Sequence, residues 1–295
     1  MRYPITILLA GLLSAGCPGG GGGDPDSAIP VETLDPEPAG APTGTVQVSA
    51  PDLGCMGRPE TPAAGSSIEL TGYVRTLADP TATAAPPAAR VEAFTTTGSL
   101  LGFGFADTSK QGRVAIPVSF TGDGFDGYAV VTQDGYLDYR FQTTRLVSDT
   151  DFDGYAWLVT QAEVDTWATT LGITVDSGAG ILLGSALDCQ AFALENVVVQ
   201  IDGATDGIGY VDGPTPMECP TLQTCDRPFA AATGATFTND TGRFLMANVT
   251  AGPVVVKLFG RLAAGGPLTL LARIDTAVTA GAITAVGMRP RMGVD

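Results

Sequence analysis

The chain has 295 residues, and its 15 Lys+Arg against 31 Asp+Glu give a formal charge of −16 with no histidine at all. Without imidazole there is no Ser-His-Asp triad, no Cys-His pair and no His-ligated zinc or haem, because each needs a group titrating near neutrality or a neutral nitrogen ligand. A pI near 4.2, with Lys110 and Lys257 the sole lysines, argues against nucleic acid and anionic headgroups, which demand clustered cations.

The composition is that of a chain that folds: 44% of residues are hydrophobic. Its 16% of charged residues lies below the roughly 25% of ordinary soluble proteins. With 39 Gly and 21 Pro and few Lys or Glu to favour helix, the expectation is many turns and short strands, an all-β fold. At about 150 residues per domain, the length suggests two domains.

The N-terminus reads as an address. Arg2 precedes the apolar run Ile5–Leu13, then the small residues Ser14, Ala15 and Gly16, then Cys17. The run is too short to span a bilayer and has the form of a secretory signal over residues 1–16. Leu13-Ser14-Ala15-Gly16-Cys17 resembles the lipobox of bacterial lipoproteins, which implies acylation of Cys17 as the mature N-terminus. Ser14 stands where that family commonly has leucine, so ordinary cleavage with a free Cys17 is the alternative. Pro18 follows the cysteine in place of an inner-membrane retention aspartate, so the resemblance implies an outer-membrane or surface location.

From Cys17 to Gly65 there are 9 Pro and 10 Gly in 49 residues, with Asp24, Asp26, Glu32, Asp35 and Glu37 among them. Such a composition buries too little apolar surface to offset ordering, so residues 17–65 are expected to form a flexible acidic stalk. Removal of Arg2 with the signal would take the charge from −16 to −17. Four further cysteines, Cys55, Cys189, Cys219 and Cys225, suit two disulfides in an oxidising compartment. Three connectivities exist. The preferred one joins Cys219 to Cys225, neighbours in a Pro-containing loop, and Cys55 to Cys189. A zinc site of these thiolates lacks the paired two-residue spacing.

From Ser67 onward, period-2 runs alternate with Gly, Pro and Asp punctuation: Ile68–Val74, Val91–Phe94, Val114–Phe120 and Tyr128–Thr132. Val114, Ile116, Val118 and Phe120 share one face, and Pro117 on the other marks an edge strand. Residues 66–147 are read as a first β-sandwich. A capping box at Thr160–Glu163 opens a helix over Gln161–Leu171, with Val159 stapled to Val164 and Gly172 closing it, inside a connector spanning 148–178. Trp167 on its apolar stripe belongs in the core.

Residues 179–289 repeat the plan. Ile181–Leu187 answers Leu70–Arg75, Asn196–Ile201 answers Arg90–Phe94, Phe237–Phe244 answers Ala106–Val114, and Pro253–Leu258 answers Tyr128–Thr132. In the turn Asn239-Asp240-Thr241-Gly242, Gly242 can take positive φ and Asp240 can bond nearby backbone, while Phe244 and Met246 re-enter the core. This pattern resembles the carboxypeptidase regulatory-like, or transthyretin-like, β-sandwich family. The resemblance implies two tandem Greek-key-like β-sandwich domains with scaffolding, adhesive or accessory binding roles, and no catalysis.

Candidate sites are few. Asp149, Asp151 and Asp153 form the D-x-D-x-D-G opening of a calcium loop, but its twelfth position is Thr160 where a bidentate glutamate belongs. The rival reading is an acidic turn. Tyr136, Tyr139, Phe141, Tyr155 and Trp157 could stack on sugars, although their alternation suits a sandwich core better. Gly102-Phe103-Gly104-Phe105 lacks the third glycine of a dinucleotide fingerprint, and there is no nucleophile elbow or P-loop. Carboxylates capable of glycoside hydrolysis have no framing motif. The sequence therefore points to a non-enzymatic envelope lipoprotein for adhesion or scaffolding, with an unnamed envelope protein as partner. The alternative is an accessory polysaccharide-binding module, with calcium as the one cofactor to consider.

Overall fold

The computed structural model describes residues 32–46, 51, 53, 56, 67–76, 89–110, 112–119, 125–143, 150–190, 192–202, 208–212, 230–231 and 234–290. All of them belong to one compact unit, Val31–Asp295. The fold is all-β with one α-helix among the described residues.

The first half supplies β1 (Ser67–Thr76), β2 (Arg90–Thr95), β3 (Leu100–Phe105), β4 (Arg113–Ser119), β5 (Gly127–Thr132), β6 (Tyr139–Thr143) and β7 (Thr150–Leu158). Its strands form one sheet in the order β4-β1-β7, facing another in the order β6-β5-β2-β3. After α1 (Gln161–Leu171), the second half supplies β8 (Gly180–Ala186), β9 (Val198–Ile201), β10 (Gly209–Asp212), β11 (Ala230–Ala231), β12 (Arg243–Val249), β13 (Gly252–Arg261), β14 (Leu268–Val278) and β15 (Ile283–Met288). Its strands run β12-β8-β15 in one sheet and β14-β13-β9 in the other.

The repeat read from sequence is therefore a repeat of topology. β1 pairs antiparallel with β4 and parallel with β7, and β8 pairs antiparallel with β12 and parallel with β15. The two sandwiches are fused. β15 also pairs in parallel with β6, from Ile283↔Tyr139 to Gly287↔Thr143, which welds one sheet from each half into nine strands, β11-β10-β12-β8-β15-β6-β5-β2-β3.

Fusion explains the burial. In β4 exposure alternates strictly, Val114, Ile116 and Val118 inward, as a strand with one wet face must. In β8 and β15 it does not, because both faces are covered: Ile181, Leu183, Ile283 and Ala285 join one core, while Leu182, Ala186, Val286 and Met288 join the other. The first core holds Leu70, Ile116 and Val131 with Leu158, Val159 and Val164 at the start of α1, and Trp167 packs against it. Through Val164 the helix thus shares this core with Ile181 and Leu183 of β8 and Ile283 and Ala285 of β15. Its Thr160–Glu163 capping box is present, and Gly172 at φ 68° closes it with bonds to the carbonyls of Ala168 and Thr169. The second core lies between β8, β12 and β15 and the covering strands β9, β13 and β14, with Phe244, Leu258 and Leu271 at its centre.

Three expectations change. Residues 150–158, read as connector and acidic turn, form β7, because parallel pairing with β1 across Leu70↔Thr150 and Thr76↔Leu158 satisfies their backbone. Part of the expected stalk is docked. Thr33 bridges Thr269, Glu37 makes a bidentate pair with Arg261 at 2.6 and 2.9 Å, Glu32 pairs with Lys257 at 2.8 Å, and Val46 is buried in the second core. Composition did not reveal this, because the partners lie more than 200 residues away. Finally, Asn239 rather than Asp240 braces the β12 turn, its Oδ1 accepting from the Thr241 N–H and hydroxyl while Gly242 sits at φ 62°.

Where both faces are core, one residue must vanish. Gly184 on β8 stands opposite Phe244, and a Cβ there would lie 1.8 Å from the phenyl ring. Gly184→Ala is expected to cost about 1–3 kcal/mol by overpacking, read from urea denaturation midpoints. Hydrogen bonding to Arg261 holds the Glu37 carboxyl below its usual range. The contact therefore holds above that range and is lost as pH falls through the depressed value. Hydrogen-exchange protection across residues 32–46, taken relative to the intrinsic rate at each pH, should fall at low pH, and at neutral pH in Glu37→Gln, with the nine-stranded sheet unaffected.

Candidate functional site

The covering sheet β14-β13-β9 ends above β6, where the Gln142 amide donates to the Asp275 carbonyl of β14 at 2.9 Å. Beyond that step, no described strand covers the same face across β6, β5, β2 and β3. Its cross-strand rows follow from the register. Leu100, Phe94 and Tyr128 stand in one row, Phe103, Glu92, Val130 and Arg140 in the next, and Phe105, Arg90 and Thr132 in a third. Four strands at about 4.8 Å spacing make this face roughly 14 Å wide.

The face is aromatic and partly cationic. Phe94 and Tyr128 stack with ring centroids 5.3 Å apart, and Phe103 meets Phe105 edge to face at 6.1 Å. The Arg140 guanidinium lies 3.5 Å over the Tyr128 ring, and Arg90 sits 5.2 Å over Phe103 while paired with Glu92 at 2.7 Å. No carboxylate pairs with Arg140 among the described residues, its Nε is buried without an acceptor, and burial lowers its pKa. Leu100, Phe103 and Phe105 are 50%, 53% and 57% exposed, so half of the six exposed large hydrophobics among the described residues lie on β3 alone. Scattered exposed hydrophobics are ordinary, whereas these three are neighbours on one strand.

On the inner side, β3 carries glycines. A Cβ at Gly102 would lie 2.8 Å from the Pro117 carbonyl, and one at Gly104 3.1 Å from the Ala115 carbonyl, so β4 lies directly beneath β3. Glycine inward and phenylalanine outward is what the Gly102–Phe105 run encodes. The signal was legible as alternation, with the large residues on the wet side.

The aromatics singled out from sequence fall elsewhere. Tyr139 and Trp157 are buried in the first core, Tyr136 and Phe141 pack against it, and burial pushes the Tyr139 phenol well above its usual pKa. Nothing is described of the Tyr155 side chain. Asp151 and Asp153 lie within β7, and Asp149 lies outside the described residues, among which no group of three or more His, Cys, Asp or Glu comes together. Cys189 sits in the turn after β8 and is disulfide-bonded; Cys17, Cys55, Cys219 and Cys225 lie outside the described residues. Asp188 braces that turn, its Oδ1 accepting from the N–H groups of Gln190 and Phe192.

No family model and no curated relative matches the sequence. Among solved structures the chain is similar to the Bacillus anthracis TIE protein, at 12% identity over 77% of this chain and 35% of that one, with a TM-score of 0.26. It is also similar to a streptococcal ancillary pilin, at 9% identity over 76% of this chain and 69% of that one, TM-score 0.24. A third is the minor pilin of Streptococcus agalactiae, at 10% identity over 76% and 96%, TM-score 0.21. The chain spans about a third of the length of the anthrax protein.

The division between core and face is measurable. Phe103→Thr and Phe105→Thr are expected to shift stability by less than about 0.5 kcal/mol, as surface changes do. Tyr139→Ala should cost about 3–5 kcal/mol by leaving a cavity. Urea denaturation of the three variants reads both.

Proposed function

We propose that this chain is an exported lipoprotein, held at the bacterial outer membrane through acylated Cys17, whose fused β-sandwiches work by binding in adhesion or scaffolding. The observation that carries this reading is the bare aromatic face. Among the described residues, Phe103 and Phe105 put two phenyl rings side by side in solvent on one strand, with the half-exposed Phe94 and Tyr128 on the same face. The absence of histidine from the sequence removes the commonest catalytic groups and agrees with a binding role. The disulfide at Cys189 agrees with an oxidising compartment. The resemblance of both halves to carboxypeptidase regulatory-like domains, the pairing of Cys55 with Cys189 and of Cys219 with Cys225, and the signal over residues 1–16 belong to the same proposal.

A second reading, an accessory polysaccharide-binding module, is favoured by the same rings, since flat aromatic faces suit sugar rings. A glycan array with and without chelator separates it, and also tests calcium at Asp149, Asp151 and Asp153.

Expressed in a bacterial host, the wild-type chain should partition with membranes and yield a mature N-terminal peptide carrying acyl chains on Cys17. Cys17→Ser should release it to the soluble fraction, and partitioning unchanged by that substitution overturns the anchor. The purified body should retain a protein from envelope extract. Turnover of a small molecule with no partner retained overturns the binding role.

A further inference from the structure

The three sheets have six free edges among the described strands, and five are guarded against further pairing. β4 has Pro117, which offers no N–H. β14 is covered by the segment around Thr33, with the Leu34 N–H donating to Leu268 and the Leu270 N–H to Glu32. On β9 the Val199 N–H donates to the Tyr210 hydroxyl at 3.1 Å. β7 carries Asp151 and Asp153, and β11 is two residues long. These are the usual devices by which edges are blunted.

Over Gly102–Phe105 β3 has none of them, its one irregularity being the extra residue Leu101 set against Ala93 and Phe94. Its six residues, Leu100 to Phe105, contain no charge and no proline, and among the described strands it pairs with β2 alone. The Ala106 N–H donates to the Ala89 carbonyl, so the hydrogen-bonded pairs are Val91 with Gly104 and Ala93 with Gly102. By the alternation of an antiparallel ladder, the N–H and C=O of Phe103 and Phe105 point away from β2. β4 lies beneath β3, and among the described residues no backbone hydrogen bond reaches the outward groups of Phe103 and Phe105.

We infer that the free edge of β3, with the phenyl rings of Phe103 and Phe105 beside it, receives an extended segment of a partner polypeptide as a tenth strand of the sheet. This rests on the binding role proposed above and names its partner class. Only a peptide backbone carries donors and acceptors alternating at the spacing of this edge, so the edge selects polypeptide over polysaccharide. The partner's outward side chains would continue the rows of Phe103 and Phe105 and should be apolar or aromatic at alternate positions. A second copy is the poorer occupant. Each copy carries −16, which opposes self-association, and three half-exposed side chains fall well short of the roughly 800 Å² per partner of a stable dimer.

The probe is a fluorescent peptide copying residues 89–97, the strand that already complements β3, titrated against the full chain by anisotropy. Saturable binding is expected. A docked strand bonds through every second amide, so N-methylation of one alternating set should weaken binding at least tenfold and of the other set leave it unchanged. Phe103→Pro removes the outward N–H without touching a β2 hydrogen bond and should abolish binding. Phe103→Thr, which keeps the N–H, should retain part of it, with matching thermal melts showing that both variants fold. Equal tolerance of both methylation sets, no saturation up to ~1 mM, or a soluble polysaccharide that binds this face where the peptide does not, each overturns the inference. If the peptide fails while the body still retains an envelope protein, the edge is wrong and the binding role stands. If both fail, the role falls as well.

Discussion

The parallel pairing of β6 with β15 is the contact on which the rest of the molecule depends. Two sandwiches in tandem would ordinarily meet through a linker and a modest polar interface, free to move against each other. Here five register pairs, Ile283 to Gly287 against Tyr139 to Thr143, make the boundary a run of backbone hydrogen bonds inside a sheet. Both sandwiches then share a layer, and strands near the weld lose their wet face. That is why β15 is buried throughout, and why Gly184 yields its side-chain space to Phe244.

The same weld creates the candidate site. In the second half, one face of the long sheet is roofed by β9, β13 and β14. In the first half, the roof lies on the opposite face, as β1, β4 and β7. The two roofs are staggered, so the sheet has a stretch in its middle covered on both sides and an end covered on one. The uncovered end presents Phe94, Phe103, Phe105 and Tyr128. Both arginines there lie over rings, Arg90 over Phe103 with Glu92 as its carboxylate and Arg140 over Tyr128 with no carboxylate among the described residues, so charge is retained on an apolar surface.

Local pattern made much of this legible. The strict alternation of β4 with its Pro117, the capping box and αL glycine of α1, and the duplicated strand order could all be read because each depends on neighbours within a few residues. Staggering of the roofs could not, since it is decided by β6 meeting β15 some 140 positions away. The docking of Glu37 on Arg261 was hidden for the same reason. The aromatic face of β3 was missed because alternation alone does not say which side is wet: Tyr139 and Phe141 alternate into a core, the reading their spacing favoured, whereas Phe103 and Phe105 alternate into solvent opposite Gly102 and Gly104. The informative sign was the glycine. A strand whose small residues alternate with phenylalanine is pressed against something on the small side, and so shows its rings on the other.

The acidity of the chain and its unguarded edge fit together physically. An uncharged strand edge flanked by phenyl rings invites association of identical copies, which proteins commonly prevent with a lysine or a bulge on the edge itself. This chain places no lysine on β3, and the strand's one bulge, at Leu101 against Ala93 and Phe94, leaves the Gly102–Phe105 stretch regular. Its net charge of −16 supplies protection at longer range, acting over about 8 Å at physiological ionic strength. That repulsion falls on every copy equally and on a neutral or cationic partner segment not at all. Charge spread over the body can therefore keep copies apart while the short-range hydrogen-bonding row of Phe103 and Phe105 stays open to a different chain.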